Sequence, residues 1–457
     1  MVAPLMFGRK KKEESLIPGD MGPPVMFKAA GGDRSENESN LIKVRQSEGI
    51  VTAKELFLTV IEKGSQRILL DFSRQSVAGG IDVDGIMQRI PPMDRPTGDL
   101  MLAVLKTLAN LNVKERRARQ TGEFSVRYEK IQLNCTITSQ GTKTGERILI
   151  KLAPKDEVLV ALEDLGMREK MVAEFKQLVG RSMDGEIPPP TQGLFVMSAP
   201  AIGGLSTLWR VGLGTTDRYM NSCICVDTAD PTEAEIENVK AVTYDPENSS
   251  EVNKIMTKLF REQHDMFLFP RIPNRELLDL LCEQIIEDKY LVFTSVQAKD
   301  CAEALLRIKS LQPNPENFSQ AVLAVLNMRL VRRLCESCKQ PYRPNPALLQ
   351  KLKIPADRVS TLYREYQPPP PESEPKRKKG EPEVCPDCNG VGYRGRIGFF
   401  EMLKVDEPIR KALVKQPRLD LIRQLSRKAG NRTLQEEGIL AVVQGVTSLN
   451  ELQRAMK

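Results

Sequence analysis

Apolar and polar positions along the chain set out its elements before any motif is considered. From Thr52, the residues Leu56, Phe57, Val60 and Ile61 recur at helical spacing, and the run Arg67-Ile68-Leu69-Leu70-Asp71-Phe72 follows as a strand. Residues 79–87, Gly79-Gly80-Ile81-Asp82-Val83-Asp84-Gly85-Ile86-Met87, read as a hairpin-like segment. A helix is predicted around Leu100–Leu111, and strands over 124–138 and 146–152. Together these predict a small α+β domain over residues 46–154. Residues 1–45 are rich in Gly, Pro, Ser, Asn and charge without apolar periodicity, which predicts a flexible arm.

From 155 to 330 the pattern changes. Helical stretches alternate with the short apolar runs Leu194–Ser198, Cys223–Val226, Met266–Phe269 and Tyr290–Ser295. Strands that alternate with helices predict a parallel sheet covered on both faces, hence an α/β fold. Residues 331–400 carry paired cysteines split by a proline-rich inserted loop. Residues 401–457 read as a helical C-terminal subdomain punctuated by Gly430, Gly438 and Gly445.

The chain has 457 residues, with 40% hydrophobic and 5% aromatic content, as expected of a globular multidomain protein. No apolar run approaches the ~18 residues a bilayer requires. The N-terminus places apolar residues before the basic run Arg9–Lys12, the reverse of a secretory signal, so a cytoplasmic location is expected. A formal charge of +7 permits an anionic partner without demanding one. Lys376–Lys379 has few aromatics around it, and single-strand binding relies on stacking platforms, so nucleic acid is not an expected ligand.

Nine cysteines without an export signal argue against a disulfide framework. Cys135, Cys223, Cys225, Cys282 and Cys301 sit in apolar settings and read as core. Cys335-Glu336-Ser337-Cys338 and Cys385-Pro386-Asp387-Cys388 are two C-x-x-C pairs, the spacing that lets two tight knuckles share one tetrahedral zinc. Four thiolates leave no open coordination position, so zinc here is expected to be structural. Cys385–Gly392 also matches the C-x-x-C-x-G-x-G unit of J-domain co-chaperones, but in a single copy.

The stretch from Gly193 to Arg210 has the form of a buried strand, a small-residue loop and a helix start. A phosphate-binding loop of the form G-x-x-x-x-G-K-[ST] combines backbone N–H groups with a lysine. In that frame the first glycine is Ala199, the second is Gly204, the lysine is Leu205 and the hydroxyl is Ser206. The frame is present and its charge is missing. Gly203, Gly204, Ser206 and Thr207 are the candidate vestigial nucleotide contacts.

On these residues the chain resembles the traffic ATPases of bacterial type II secretion and type IV pilus assembly. The likeness runs over roughly residues 50–457. It is carried by Arg329-Leu330-Val331-Arg332-Arg333-Leu334-Cys335, by Cys388-x-Gly390-x-Gly392-Tyr393-x-Gly395-Arg396-x-Gly398-x-x-Glu401, and by the tail motifs Arg432-Thr433-Leu434-x-Glu436-Glu437-Gly438 and Gly445–Glu451. Gly145–Lys151 adds to it. The resemblance implies a RecA-like P-loop core over 155–330, preceded by a small PAS-like α+β domain and carrying the zinc element.

Carried over residue by residue, the family's catalytic positions are degenerate together. Its Walker B run falls on Asp265–Arg271, with Asp265 kept and Arg271 at the glutamate. A guanidinium cannot accept a proton. The histidine motif falls on Thr294–Asp300 with Gln297 at the histidine, and the aspartate motif on Arg117–Gly122 with Thr121 at the aspartate. His264 is the only histidine and reads as a strand-edge residue. Losing one such electrostatic group costs ~10²–10³ in rate.

The resemblance therefore implies a non-hydrolysing structural or regulatory subunit with weak or absent Mg-ATP binding. The partners it implies are an ATPase paralogue or inner-membrane platform proteins, in a homo- or hetero-hexamer. An alternative keeps an active ATPase, with Lys299, Arg210 or Arg271 replacing the lysine and Glu262 the base. A second alternative is a zinc-ribbon nucleic-acid-binding protein.

Overall fold

The computed structural model describes residues 18–155, 159–180, 192–216, 218, 221–228, 236–245, 248–262, 264–352, 354, 359–366 and 385–456. The chain divides into two compact units, Met1–Val158 and Leu159–Lys457.

The first unit contains β1 (Met26–Ala29), α1 (Arg34–Gln46), α2 (Gly49–Glu62), β2 (Arg67–Phe72), β3 (Ser76–Val83), β4 (Ile86–Asp94), α3 (Arg95–Leu108), β5 (Gln120–Tyr128), β6 (Ile131–Gly141) and β7 (Glu146–Pro154). All seven strands form one antiparallel sheet in the order β1-β5-β6-β7-β2-β3-β4. Alternate residues face inward, among them Ile68, Leu70 and Phe72 on β2 and Ile148, Ile150 and Leu152 on β7. The helices close over that face. Phe57 of α2 packs edge-on against Phe27 of β1 and Phe124 of β5, at centroid distances of 5.4 and 5.7 Å. The expected hairpin is β3–β4, and Asp84 and Gly85 at its turn both take positive φ, 52° and 84°.

The arm expected over residues 1–45 is a correction in its described part. Residues 26–29 pair with β5, and α1 occupies 34–46. Only Val44 of α1 is buried, which is why apolar periodicity misses it. A capping box between Asp33 and Glu36 starts the helix instead. Residues 1–17 lie outside the described residues.

The second unit contains α4 (Glu169–Leu178), β8 (Gly193–Ala199), α5 (Leu205–Gly214), β9 (Cys223–Thr228), β10 (Lys240–Tyr244), α6 (Ser249–Leu259), β11 (Met266–Phe269), α7 (Arg275–Asp288), β12 (Leu291–Gln297), α8 (Cys301–Lys309), α9 (Pro315–Ala321), β13 (Val322–Leu334), β14 (Gln340–Tyr342), α10 (Pro346–Lys351), β15 (Leu362–Arg364), β16 (Tyr393–Lys404), α11 (Glu407–Lys415), α12 (Leu419–Lys428), α13 (Leu434–Val443) and α14 (Leu449–Met456). Its sheet runs β10-β9-β11-β12-β8-β13-β16. The first six strands are mutually parallel, and β16 is antiparallel to β13.

This is the predicted doubly covered α/β sheet. One face packs residues of α6, α7, α8, α9, α11 and α12, and the other packs residues of α4 and α5. β8 is buried at every position, as a central parallel strand must be.

Two expected boundaries do not hold. Divisions at 330/331 and 400/401 cut through β13 and β16, which are thirteen- and twelve-residue strands of the same sheet. The cysteine element therefore grows out of the ends of two sheet strands. The proline-rich segment 367–384 lies outside the described residues. The C-terminal segment after β16 forms α11 to α14, and Gly430 and Gly445 turn between them at φ 85° and 70°. Gly438 is not a turn. It lies inside α13, where a Cβ would come 2.3 Å from Leu452 Cδ1, so it permits close helix packing.

Candidate functional site

In a parallel α/β sheet, ligands collect at the carboxyl ends of the strands. At that edge β8 ends at Ala199, residues 200–204 make a tight loop, and α5 opens at Leu205. Gly204 takes φ +87°, and a Cβ there would lie 2.8 Å from Met328 Cε, so only glycine fits so close to β13. The Gly203 N–H donates to the Pro200 carbonyl at 2.8 Å, so this amide is committed within the loop. Ile202 holds a left-handed φ of +62° with its side chain 65% exposed. No side chain caps the start of α5. Ser206 is exposed, and Leu205 and Thr207 are half-buried. The strand–loop–helix frame is there, and an aliphatic side chain stands where the frame expects an ammonium.

A buried polar node holds the base of this loop. Asn327 Nδ2 donates to Ser198 Oγ at 2.5 Å and to the Ala298 carbonyl at 3.2 Å. The Ala298 N–H in turn donates to Ala199 O at 3.0 Å. Three strands are tied together immediately before the loop begins.

The neighbouring strand ends supply the remaining groups. Gln297 ends β12 opposite Ala199 and is exposed. Arg271 follows Pro270 just beyond β11 and is exposed. Lys299 is exposed after β12. Asp227, near the end of β9, is 8% exposed and accepts from the Thr228 N–H at 2.8 Å. Burial pushes the Tyr244 phenol up, the Asp227 carboxylate adds to the shift, and the Arg271 guanidinium opposes it. Both charged groups therefore act electrostatically on that phenol. Reading the sequence missed Asp227; its signal was a carboxylate closing an apolar strand run.

Two expected site residues lie at the opposite edge of this sheet. Asp265 precedes β11 and accepts from the Ser222 N–H at 2.8 Å. Met266 pairs with Leu291, which pairs with Gly193, so Asp265 sits where β8 begins. Six residue steps at ~3.3 Å separate that level from Ala199, about 20 Å. Asp265 is on the amino edge of the sheet and does not reach the loop.

Glu262 shares that wrong edge, 3.4 Å from His264 Nε2 and 3.9 Å from Lys240 Nζ. His264 also bonds Ser222 Oγ at 2.8 Å and is a strand-edge residue as expected. Thr121 lies on β5 of the first unit, exposed, with its Oγ1 3.3 Å from Thr138 Oγ1. Arg210 donates to the Leu159 carbonyl at 3.3 Å.

The cysteines form a second site. Cys335 follows β13 directly, and its N–H donates to the Gly392 carbonyl at 3.0 Å, while Cys338 N donates to Cys335 O at 3.3 Å to close the first knuckle. Gly390 and Gly392 take φ 76° and 79° in the second. All four sulfurs lie within 4.8 Å of one another. Cys335 and Cys385 are 3.9 Å apart, and Cys338 and Cys388 are 3.5 Å apart. Two sulfurs on a tetrahedral zinc at 2.3 Å are separated by ~3.8 Å, so the donor set fits that ion. The Gly392 N–H donates to Cys388 Sγ at 3.3 Å. Burial works against the Cys385 thiolate, and the N–H groups of Cys388 and Asp387 outweigh it, leaving its pKa lowered.

With this geometry in place, a profile described as Type II/IV secretion system protein matches residues 46–454. The chain belongs to this family. Among its relatives, the type IV pilus assembly ATPase PilB of Thermus thermophilus is 26% identical over 81% of the chain, which spans 39% of that protein's length. The type II secretion system protein E of Dickeya dadantii is 24% identical over 99% of this chain and 84% of its own. In fold, this secretion-family chain is similar to the Legionella pneumophila ATPase DotB. The TM-score is 0.53 at 11% identity, covering 88% of this chain and 95% of that one. Among the described residues no helix is long and apolar enough to cross a membrane.

Proposed function

We propose that this chain is a non-hydrolysing member of the type II secretion and type IV pilus ATPase family. In this reading it acts as a structural or regulatory subunit of a cytoplasmic assembly motor, with the second unit as a RecA-like core. The observation that carries the reading is the composition of one sheet edge. Leu205 occupies the lysine position, Arg271 the position of the base, and Gln297 that of the histidine, around a loop whose Gly203 amide is already bonded.

Phosphoryl transfer depends on positioning and on stabilising phosphate charge. A leucine supplies no charge, and an arginine accepts no proton. The residual anion attraction of the α5 N-terminus permits at most weak nucleotide binding. The four cysteines hold structural zinc, which shapes the end of the β13–β16 ribbon and takes no part in chemistry. The partners of this reading are an active paralogue in a mixed hexamer, or platform proteins at the inner membrane.

A second reading keeps an active enzyme, and Asp227 favours it as the carboxylate on the correct edge. It still lacks a cation built into the loop. The test mixes the zinc-loaded chain with an active family ATPase. Co-elution as a larger assembly, with the silent chain altering its partner's turnover, supports the first reading. Phosphate release by this chain alone, lost in Asp227→Asn, supports the second.

A further inference from the structure

Asn327 is fully buried on β13, and its Oδ1 has no hydrogen-bond donor. The orientation of its amide is fixed by the Ala298 carbonyl, which can only accept and so faces Nδ2. Directly across the β13–β16 ladder from Asn327 is Glu401, 6% exposed. Residues directly opposite in an antiparallel pair share a face, with Cβ atoms ~4.5–5.5 Å apart. A carboxylate in that position offers only acceptors to an orphan acceptor. A carboxylic acid offers one O–H donor.

We infer that Glu401 is held as the neutral acid and donates its proton to Asn327 Oδ1, joining β16 to the polar node beneath the β8–α5 loop. The surroundings agree. Burial pushes Glu401 up to about 7, and the carboxylate of Asp300 at the start of α8 adds to the shift. The Cys301 N–H of α8 and the guanidinium groups of Arg423 and Arg427 on α12 oppose it. Arg423 is itself taken by Asp300, at 2.5 Å, and Arg329 on β13 reaches toward Met456 Sδ at 3.7 Å.

Ionisation of Glu401 therefore has two local effects. It removes the donor that Asn327 needs, and it sets a second negative charge beside Asp300. The node beneath the loop and the hold of α12 on α8 then loosen together. The fold contains a proton-dependent clamp between its C-terminal helices and the loop edge.

The sign is that of a carboxyl raised by folding: its stabilising contribution is full below the unfolded pKa and is lost as pH rises toward about 7. The direct test follows glutamate carboxyl carbons by NMR in the full zinc-loaded chain from pH 4 to 9, assigning Glu401 by its loss in Glu401→Gln. A midpoint near 7 supports the inference, and one in the ordinary carboxylate range overturns it. Equilibrium unfolding adds a second arm. Between pH 5 and 7 the wild-type folding constant, relative to that of Glu401→Gln, should fall by roughly tenfold per pH unit. Glutamine keeps a donor and alanine does not, so Glu401→Ala should be less stable than Glu401→Gln at every pH. Equal stability of the two variants contradicts the bond to Asn327.

Discussion

Leu205 and Arg271 stand on the same edge of one parallel sheet, the first opening α5 after β8 and the second leaving β11 two strands away. A leucine carries no charge and a guanidinium accepts no proton, so in the proposed reading neither fills the role its position has in an ATP-hydrolysing loop. In the proposed reading their shared edge makes the two losses a single property of the site: the group that would steady phosphate and the group that would take a proton are missing from one place.

Restoring one of them does not repair it. Leu205→Lys returns the charge, but Arg271 still follows Pro270 and the Gly203 amide is still bonded to Pro200. The variant is expected to bind Mg-ATP more tightly than wild type and to release no phosphate, measured by calorimetry and a phosphate assay on the same preparation.

Ile202 is expected to be a site of stored strain. A β-branched residue at φ +62° is disfavoured by about 1–2 kcal/mol, and its exposed side chain recovers little by burial. Ile202→Gly should stabilise the chain by ~0.5–1 kcal/mol after the entropy of the extra glycine is counted, read from denaturant midpoints. A destabilised variant would show that the isoleucine makes contacts in solution.

Acid should weaken the join between α14 and β13. Glu451 is 1% exposed and pairs with Arg332 at 2.7 Å and with Arg454 at 2.6 Å. Burial alone would raise its pKa, and the hydrogen bonds from Arg454 and Arg332 outweigh that, leaving it lowered. A lowered carboxyl contributes stability that is present above its unfolded pKa and lost as pH falls through the folded one. Glu451→Gln should cost ~3–5 kcal/mol at neutral pH, because it leaves the mostly buried Arg332 without its counter-charge. The gap to wild type should close on acidification below the ordinary carboxylate range.

The first unit carries a similar pair, and Glu146→Ala tests it separately. Lys106 and Glu146 are each 1% exposed and bonded to one another, with Ser139 donating to the same carboxylate at 2.5 Å. Removing Glu146 leaves a buried ammonium that still donates to the Glu115 carbonyl at 2.7 Å but has lost its counter-charge. The expected loss is ~3–5 kcal/mol in thermal or chemical unfolding.

Zinc should copurify, and Cys338→Ser should lose it. The variant is expected to unfold at lower temperature and to respond less to chelator than wild type, because structural metal binding is coupled to folding. Retention of metal by the variant would point to a different ligand set.

Much of this was legible in the residues. The apolar runs located β8, β9, β11 and β12 of the second unit, since a strand buried on both faces must be continuously apolar, but not the interior strand β13. The C-x-x-C spacing located the four-cysteine cluster for the same local reason. What escaped depends on long-range placement. Asp265 matches a motif letter, but a motif does not say at which end of its strand a residue stands, and pairing register puts it on the amino edge. Asp227 has no such letter and is found only because β9 ends beside β11. The helix α1 hides because Val44 is its one buried residue, with Leu41 only partly buried against the core, and the extent of β16 hides because its pairing partner lies far away in sequence.

The most direct measurement is phosphate release from Mg-ATP by the purified, zinc-loaded chain, alone and at near-physiological salt. The account predicts no release above the enzyme-free rate. Sustained release that Asp227→Asn abolishes would contradict it and make the carboxyl edge of this sheet a working, rearranged active site.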